Sequence, residues 1–515
     1  MSSPCGWQEF DGVNVVRDKF KRLGLLTFDI AWAGVILLLP ITSLPLLSQW
    51  VGNTLVAPAS FLPLCWLAFW FIFYIFKKGT LPRETIPFLL FSSIAVIASA
   101  CAFYLPTPSF KGGTVFSAEF KALLTLVIGT AFYLLASSWL LNSHNKLTYT
   151  LKLIDIGGLI MLSWALIQGI FIYFFHGEFP DIISRFQMLI SMQNVIYPRM
   201  NGFAYEPSWL AQQLNLLYLP FWLAATLAGF SAFRFRIWKI SLENILLSIG
   251  IVVLFLSSRV GTLSPLLIIA FLGIYFNVYT GRRLQKWASE RFAHSRSLLQ
   301  WVVRHLLPIG IIFIFLGVYA LGAIALVYGL SHVDLRLAHF FQVTSLAQFK
   351  LISASIYTLF DYLSFAERYV YWVAGWRVFN MHPFIGVGLG NAGFYFHETL
   401  PAYSWNLPEV LAVIYRFTAL PNIKSLWVRL LAETGIVGFS SFLVWCSVLF
   451  RSGWILKRNP SRFNKTIGWF GIFVLLGLIF EGFSTDTFAL PYLWISMGIV
   501  SAVAASVRNS KGMLV

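Results

Sequence analysis

Arg199, Arg259 and Lys424 lie far apart in the sequence, each at the edge of an apolar run. All three are residue types that bind phosphate oxygens, arginine as a two-pronged donor and lysine as a point charge. Arg199 opens the stretch PRMNGFAYEPSW at 198–209, in which Glu206 and Pro207 precede a new apolar segment. Arg259 sits in SSRVGTL at 257–263, in a connection of two or three residues between apolar runs. Lys424 belongs to PNIKSLWVRLLAETGIVG at 421–438, which carries Arg429 and Glu433 as well. Anion binding is the chemistry these cations suit, and Glu206, His382 and His397 are of the types that move protons. Each also has a plainer reading. Either arginine can snorkel along the membrane edge, and Glu206 can cap the helix that begins at Pro207 and pair with Arg199. Glu433 can be an acid favoured near a helix N-terminus, with Gly435 and Gly438 serving close packing.

The run HPFIGVGLGNAGF at 382–394 imitates a dinucleotide fingerprint through Gly386, Gly388 and Gly390. No strand-forming run precedes it and no suitably spaced acid follows, so a tight backbone turn is the better expectation.

The composition limits which elements can position these groups. The 515 residues are 58% hydrophobic and 11% charged, with a mean hydropathy of +0.76, which is too apolar for soluble domains. An all-α polytopic membrane protein is expected. Runs long enough to cross about 30 Å of hydrocarbon occur near 25–47, 57–76, 85–105, 122–141, 153–175, 208–230, 240–257, 261–279, 306–329, 434–450, 467–486 and 489–507. Those twelve spans place both termini on one side.

Positive charge tells which side. The net charge of +17 concentrates in alternate connections, at Lys77, Lys78, Arg83, then Arg282, Arg283, Lys286, and again Arg451, Lys457, Arg458. The intervening short loops are almost free of it, Lys111 being the one cation of 106–118. Both ends, residues 1–24 and 508–515, are therefore expected in the cytoplasm, and the surplus reads as a topology signal without a nucleic-acid partner. Two outer connections are long, 176–207 and 330–433. The second separates spans one to nine, within 25–329, from spans ten to twelve, within 434–507. It is rich in aromatic residues, as in ERYVYWVAGWRVFNMHPF at 367–384, and short amphipathic helices are expected there. Cys5, Cys65, Cys101 and Cys446 have no metal or disulfide spacing and read as packing residues. No removable signal peptide is expected.

With the sides assigned, the chain resembles the O-antigen ligase and polymerase superfamily of bacterial envelope proteins. The resemblance rests on the helix count with a large late loop, Arg-x-x-Gly-x-x-x-Glu-Pro at 199–207, Arg-x-x-x-Leu at 259–263, the histidine and glycine run at 382–391, and LLAETGIVG at 430–438. It covers roughly 195–440. It implies a metal-independent, cofactor-free, inverting glycosyltransferase of the bacterial cytoplasmic membrane, with its site facing outward. Its donor would be an undecaprenyl diphosphate-linked oligosaccharide, and a chain-length regulator is an implied partner. Arg199, Arg259, Arg377 and Lys424 are then the diphosphate ligands expected, with Arg368 a further cation of the same loop. Where the family commonly has histidine, this chain has Lys424 followed by Ser425. An ordinary lysine is protonated at neutral pH and cannot act as base, which leaves Glu206, His382 or His397 for that task unless Lys424 is itself perturbed.

A polysaccharide polymerase is the leading expectation. The near alternative is a ligase that moves finished glycan to a lipid A core or protein. A twelve-helix secondary transporter is the alternative from another class; it would place ionisable residues near the bilayer midplane. Glu481 falls near the middle of its expected span, whereas Asp29, Asp155 and Glu243 fall near the ends of theirs.

Overall fold

A backbone that enters hydrocarbon must satisfy its own hydrogen bonds, so apolar runs of this length fold as helices. The computed structural model follows that rule and describes residues 26–50, 55–78, 80–195, 198–233, 236–238, 240–258, 260–291, 297–331, 358, 360 and 365–510. The helices are α1 (Leu26–Leu37), α2 (Phe61–Lys78), α3 (Ile86–Ala102), α4 (Val115–Trp139), α5 (His144–Phe174), α6 (Asp181–Ile190), α7 (Pro207–Gln213), α8 (Leu219–Ala228), α9 (Leu242–Ser257), α10 (Leu263–Arg291) and α11 (Ser297–Ser331). They continue with α12 (Ala366–Met381), α13 (Pro408–Tyr415), α14 (Leu426–Leu456), α15 (Arg462–Glu481) and α16 (Tyr492–Ser510). Among the described residues the sole sheet is a two-stranded ribbon, Arg236–Ile237 with Ile240–Ser241. The chain is an all-α membrane protein. Six of the described helices are long and apolar enough to cross a membrane: Arg83–Ala102, α4, α5, Leu263–Ala288, α14 and α15. The expected N-terminal segment 1–24, and 332–357 of the long connection expected at 330–433, lie outside the described residues.

The helices bundle around buried aromatic residues, among them Trp32, Tyr133, Tyr218, Trp222, Trp445 and Tyr492. Helix α16 packs on α4, α15 on α8 and α14, α14 on α3, and α12 on the first part of α14. The bundle has two distinct ends. At the tail end Arg508 donates to both carboxylate oxygens of the buried Glu84, at 2.9 and 2.8 Å, and Ser452 donates to the same carboxylate. Residues 382–433 gather at the opposite end, the loop end.

Several expectations change. The expected run at 25–47 breaks after α1, and the chain turns at Pro40 before a short helix at Pro45–Trp50. The expected span at 208–230 is interrupted by a π-helical turn, Leu214–Tyr218. Pro220 has no N–H to offer Leu216, four residues earlier, and the Ser496 hydroxyl takes that carbonyl at 2.7 Å. The expected span from 434 is preceded by a helical segment that starts at Leu426, and the two meet at the non-helical Gly435, so Glu433 lies near the end of the first segment of α14 rather than at the start of the span. Glu481 is the last residue of α15 and lies at the loop end, not near mid-span. Cys65 and Cys101 are exposed on the outside of the bundle rather than packed within it, and Cys446 is partly buried; Cys5 is outside the described residues.

Candidate functional site

The stretch at 421–438 organises the loop end. Ser425 accepts from the Val428 amide as the N-cap of α14 and donates to the Gly482 carbonyl at 3.2 Å. The Leu426 amide donates to that same carbonyl at 2.7 Å, which ties the start of α14 to the end of α15. Further along, α14 is broken at Gly435, whose φ of 63° and ψ of −170° are not helical.

That break leaves the Ala432 and Glu433 carbonyls without helical donors, and the glycine run fills the gap. The Val387 amide donates to Ala432 at 3.0 Å and the Gly388 amide to Glu433 at 2.9 Å, while the Ile436 amide donates to the Pro383 carbonyl at 2.8 Å. Gly386 has φ +76°, and a Cβ on it would lie 2.5 Å from the Glu433 carbonyl carbon. Glycine is needed there for the close approach of two backbones. The two motifs at 382–391 and 430–438 are thus one structural unit. Asn391 completes it by donating to Glu119 of α4 at 2.7 Å and to the Val387 carbonyl at 2.9 Å.

Beside this unit lies a cavity of about 400 Å³, lined by Lys111, Lys121, Arg429, Glu433, Asp486 and Asn422, with Thr and Ser hydroxyls between them. Arg429 is buried; its Nε donates to Glu433 at 2.9 Å and its Nη1 to the Asp486 carbonyl. Lys111 donates to the carbonyls of Ile414, at 3.2 Å, and of Phe417. Three cations and two carboxylates among hydroxyl groups can hold an anionic, hydroxyl-rich ligand.

On the other side of residues 422–424 is a second polar cluster. Lys424, a non-glycine residue with φ 52°, ion-pairs with Glu409 in the first turn of α13, and its ammonium lies 4.4 Å from the Tyr371 ring centre. The Tyr371 hydroxyl donates to Glu409 at 3.2 Å. Glu367, in the first turn of α12, is hydrogen-bonded to Glu409. Burial, and then the hydrogen bond and charge of Glu409, raise the Glu367 carboxyl above its ordinary range. Burial opposes ionisation of Glu409 too, but the Lys424 charge and the hydrogen bonds from Glu367, Lys424 and Tyr371 outweigh it and hold that carboxyl low. Below this cluster Asn215 donates to Glu481 at 2.6 Å and to the Gly261 carbonyl at 2.7 Å, and the charge of Arg368 acts on Glu481.

No family model and no curated protein matches the chain.

The residues expected from sequence are therefore placed by geometry alone. Arg199 is exposed on the bend before Met200. Arg259 is outside the described residues. Glu206 occupies the N-cap position of α7 but makes no side-chain cap bond, and instead accepts from Ser208 at 2.5 Å. Arg377 donates through Nη1 to the carbonyls of Thr399 and Leu400, at 3.0 and 3.1 Å. His382 lies edge-on to Tyr395, and His397 lies between Phe110 and Trp405. None of the described ones, Lys424 included, lines the cavity. Sequence reading left Lys111, Lys121, Glu367, Glu409 and Asp486 without a role; the signal for Lys111 was its place as the one cation of 106–118. Among the described residues no group of three or more His, Cys, Asp or Glu is placed to hold a metal ion.

Proposed function

We propose that the protein is a polysaccharide polymerase of the bacterial cytoplasmic membrane, with twelve spans, both termini in the cytoplasm and the loop end outside. It transfers a growing glycan from an undecaprenyl diphosphate carrier to a hydroxyl of an incoming lipid-linked repeat unit. The observation that carries this reading is the cavity at the loop end, where Lys111, Lys121 and Arg429 stand among hydroxyl groups and two carboxylates. Cations held beside a departing diphosphate stabilise the charge that grows on it. Glu433 and Asp486 suit sugar hydroxyls, whose hydrogen bonds a carboxylate accepts. Diphosphate binding by Arg199, which does not line that cavity, and by Arg259, outside the described residues, rests on the sequence resemblance alone.

The acceptor hydroxyl attacks the anomeric carbon from the face opposite the diphosphate, so the configuration inverts. The C–O bond to the diphosphate breaks, its electron pair leaves with the phosphate oxygen, and the hydroxyl proton passes to a base.

The test is incubation of the purified full chain with lipid-diphosphate oligosaccharide extracted from cells lacking this gene, followed by product sizing. Chains of many repeats are expected, and the Lys111→Ala, Lys121→Ala double variant should raise the donor KM about tenfold. Absence of any polymer from intact wild-type protein overturns the reading. Accumulation of normal-length lipid-linked polymer in the deletion cells would assign the ligase reaction instead.

A further inference from the structure

Two short helices at the loop end turn apolar side chains away from the bundle. On α6, Ile182, Phe186 and Leu189 follow the spacing of one helical face and are exposed, Ile182 by 76% and Leu189 by 71%. The opposite face of α6 is held to the bundle by polar bonds. Gln187 is buried there; its Oε1 accepts from Trp164 at 2.9 Å and from Gln168 at 3.1 Å, both on α5, and its Nε2 donates to the Gln193 carbonyl at 3.4 Å. The helix Pro45–Trp50 packs against α6 and repeats the arrangement, with Leu47 and Ser48 buried and with Leu46 and Trp50 exposed one turn apart, Trp50 by 79%. The Met192 amide donates to the Ser43 carbonyl at 3.1 Å and ties the end of α6 to the start of the other helix.

A surface helix that meets water carries polar side chains outward and apolar ones inward. Here that polarity is inverted, and the neighbouring surface tells what the apolar side meets. Helix α5 is long and apolar enough to cross a membrane. Its row Trp164, Gln168 and Phe171 faces the α6 region, through the bonds to Gln187 and the Phe171 ring 6.0 Å from that of Phe179. Beside that row, Ile160, Ile167 and Phe174 are exposed. The lipid-facing flank of a spanning helix thus continues onto α6. Arg185 is exposed on α6 and suits lipid phosphates, while Glu178 and Asp181 are exposed where the helix begins.

We propose that α6 and the helix Pro45–Trp50 lie in the interface of the lipid bilayer, with Ile182, Leu189, Leu46 and Trp50 against the acyl chains and Arg185 among the headgroups. This goes beyond the polymerase reading and does not depend on it. A helix of this kind buries its apolar face about 5–10 Å into the boundary between headgroups and chains, a depth at which tryptophan concentrates. The same contacts fix the depth of the loop-end cavity. Val56 lines it, and the next residue, Ala57, donates to the Thr42 carbonyl at 3.1 Å and accepts from the Leu44 amide at 2.8 Å. The cavity therefore stands close to headgroup level, where an anion carried on a lipid reaches it without leaving the membrane.

The experiment places a nitroxide label on Ile182→Cys, Leu189→Cys or Leu46→Cys, one at a time, in the full chain without native cysteines, reconstituted in vesicles of phosphatidylethanolamine and phosphatidylglycerol. Collision with oxygen, which concentrates among acyl chains, is compared with collision with a water-soluble nickel chelate. Glu398→Cys, exposed at the loop end, is the aqueous reference. The ratio of oxygen to nickel collisions is expected to be several-fold higher at all three positions than at Glu398. Ratios at Ile182 and Leu189 equal to that at Glu398 would show that the face meets water and would overturn the proposal. Few collisions with either reagent overturn it as well: spin–spin broadening that vanishes on dilution with unlabelled protein would then assign the face to a second copy, and no broadening to a contact within the chain. Trp50→Cys takes the place of any variant whose thermal unfolding departs from that of the wild type.

Discussion

Arg429 and Glu433 form a buried ion pair one turn apart on α14, with Nε 2.9 Å from the carboxylate and side chains that are 9% and 3% exposed. The pair lies directly before the break at Gly435 and beside the loop-end cavity, so it joins the packing of the glycine run to the lining of the proposed site.

Arg429→Met leaves the Glu433 carboxylate buried without its cation, and a loss of about 3 kcal/mol of stability is expected. Adding Glu433→Gln should recover part of that loss, because no uncompensated charge remains. Thermal unfolding of the two variants in detergent checks this; equal losses would show that the pair is not coupled.

Gly386→Ala places a Cβ against the backbone of 432–434 at a φ of +76°, and should cost more than about 2 kcal/mol. Gly229→Ala is the control. Gly229 also has positive φ, +63°, but nothing lies within 4 Å of its added Cβ, so about 1 kcal/mol is expected. Similar unfolding midpoints for the two variants would count against close backbone contact at 386.

Thr418 and Ser461 lie at opposite ends of the bundle, and both are exposed. In a background without native cysteines, Thr418→Cys should react in intact cells with a maleimide that does not cross the cytoplasmic membrane, and Ser461→Cys only after that membrane is opened. The reverse pattern would invert the proposed topology.

Much of the architecture was legible because hydrocarbon imposes a simple rule: an apolar run must be a helix, and its length and flanking charge are local properties. Helices α3 and α9 begin and end close to the expected limits for that reason. Where a side chain or carbonyl elsewhere completes the bonding, local reasoning failed. The π turn at 214–218 depends on Ser496, and the helical segment ahead of the Gly435 break, which the expected span at 434 did not include, is tied to the Gly482 carbonyl.

The same division holds for the candidate site. The sequence by itself determined the membrane character, the clustering of positive charge in alternate connections, and the presence of unusual polar motifs at 382–391 and 421–438. Only the tertiary structure decided that these two motifs interlock through the break at Gly435, that Lys424 faces Glu409, and that Lys111, Lys121 and Arg429 line one cavity. Helical periodicity and charge patterning are carried by neighbouring residues, whereas each of these pairings closes a loop of chain whose ends the sequence does not connect.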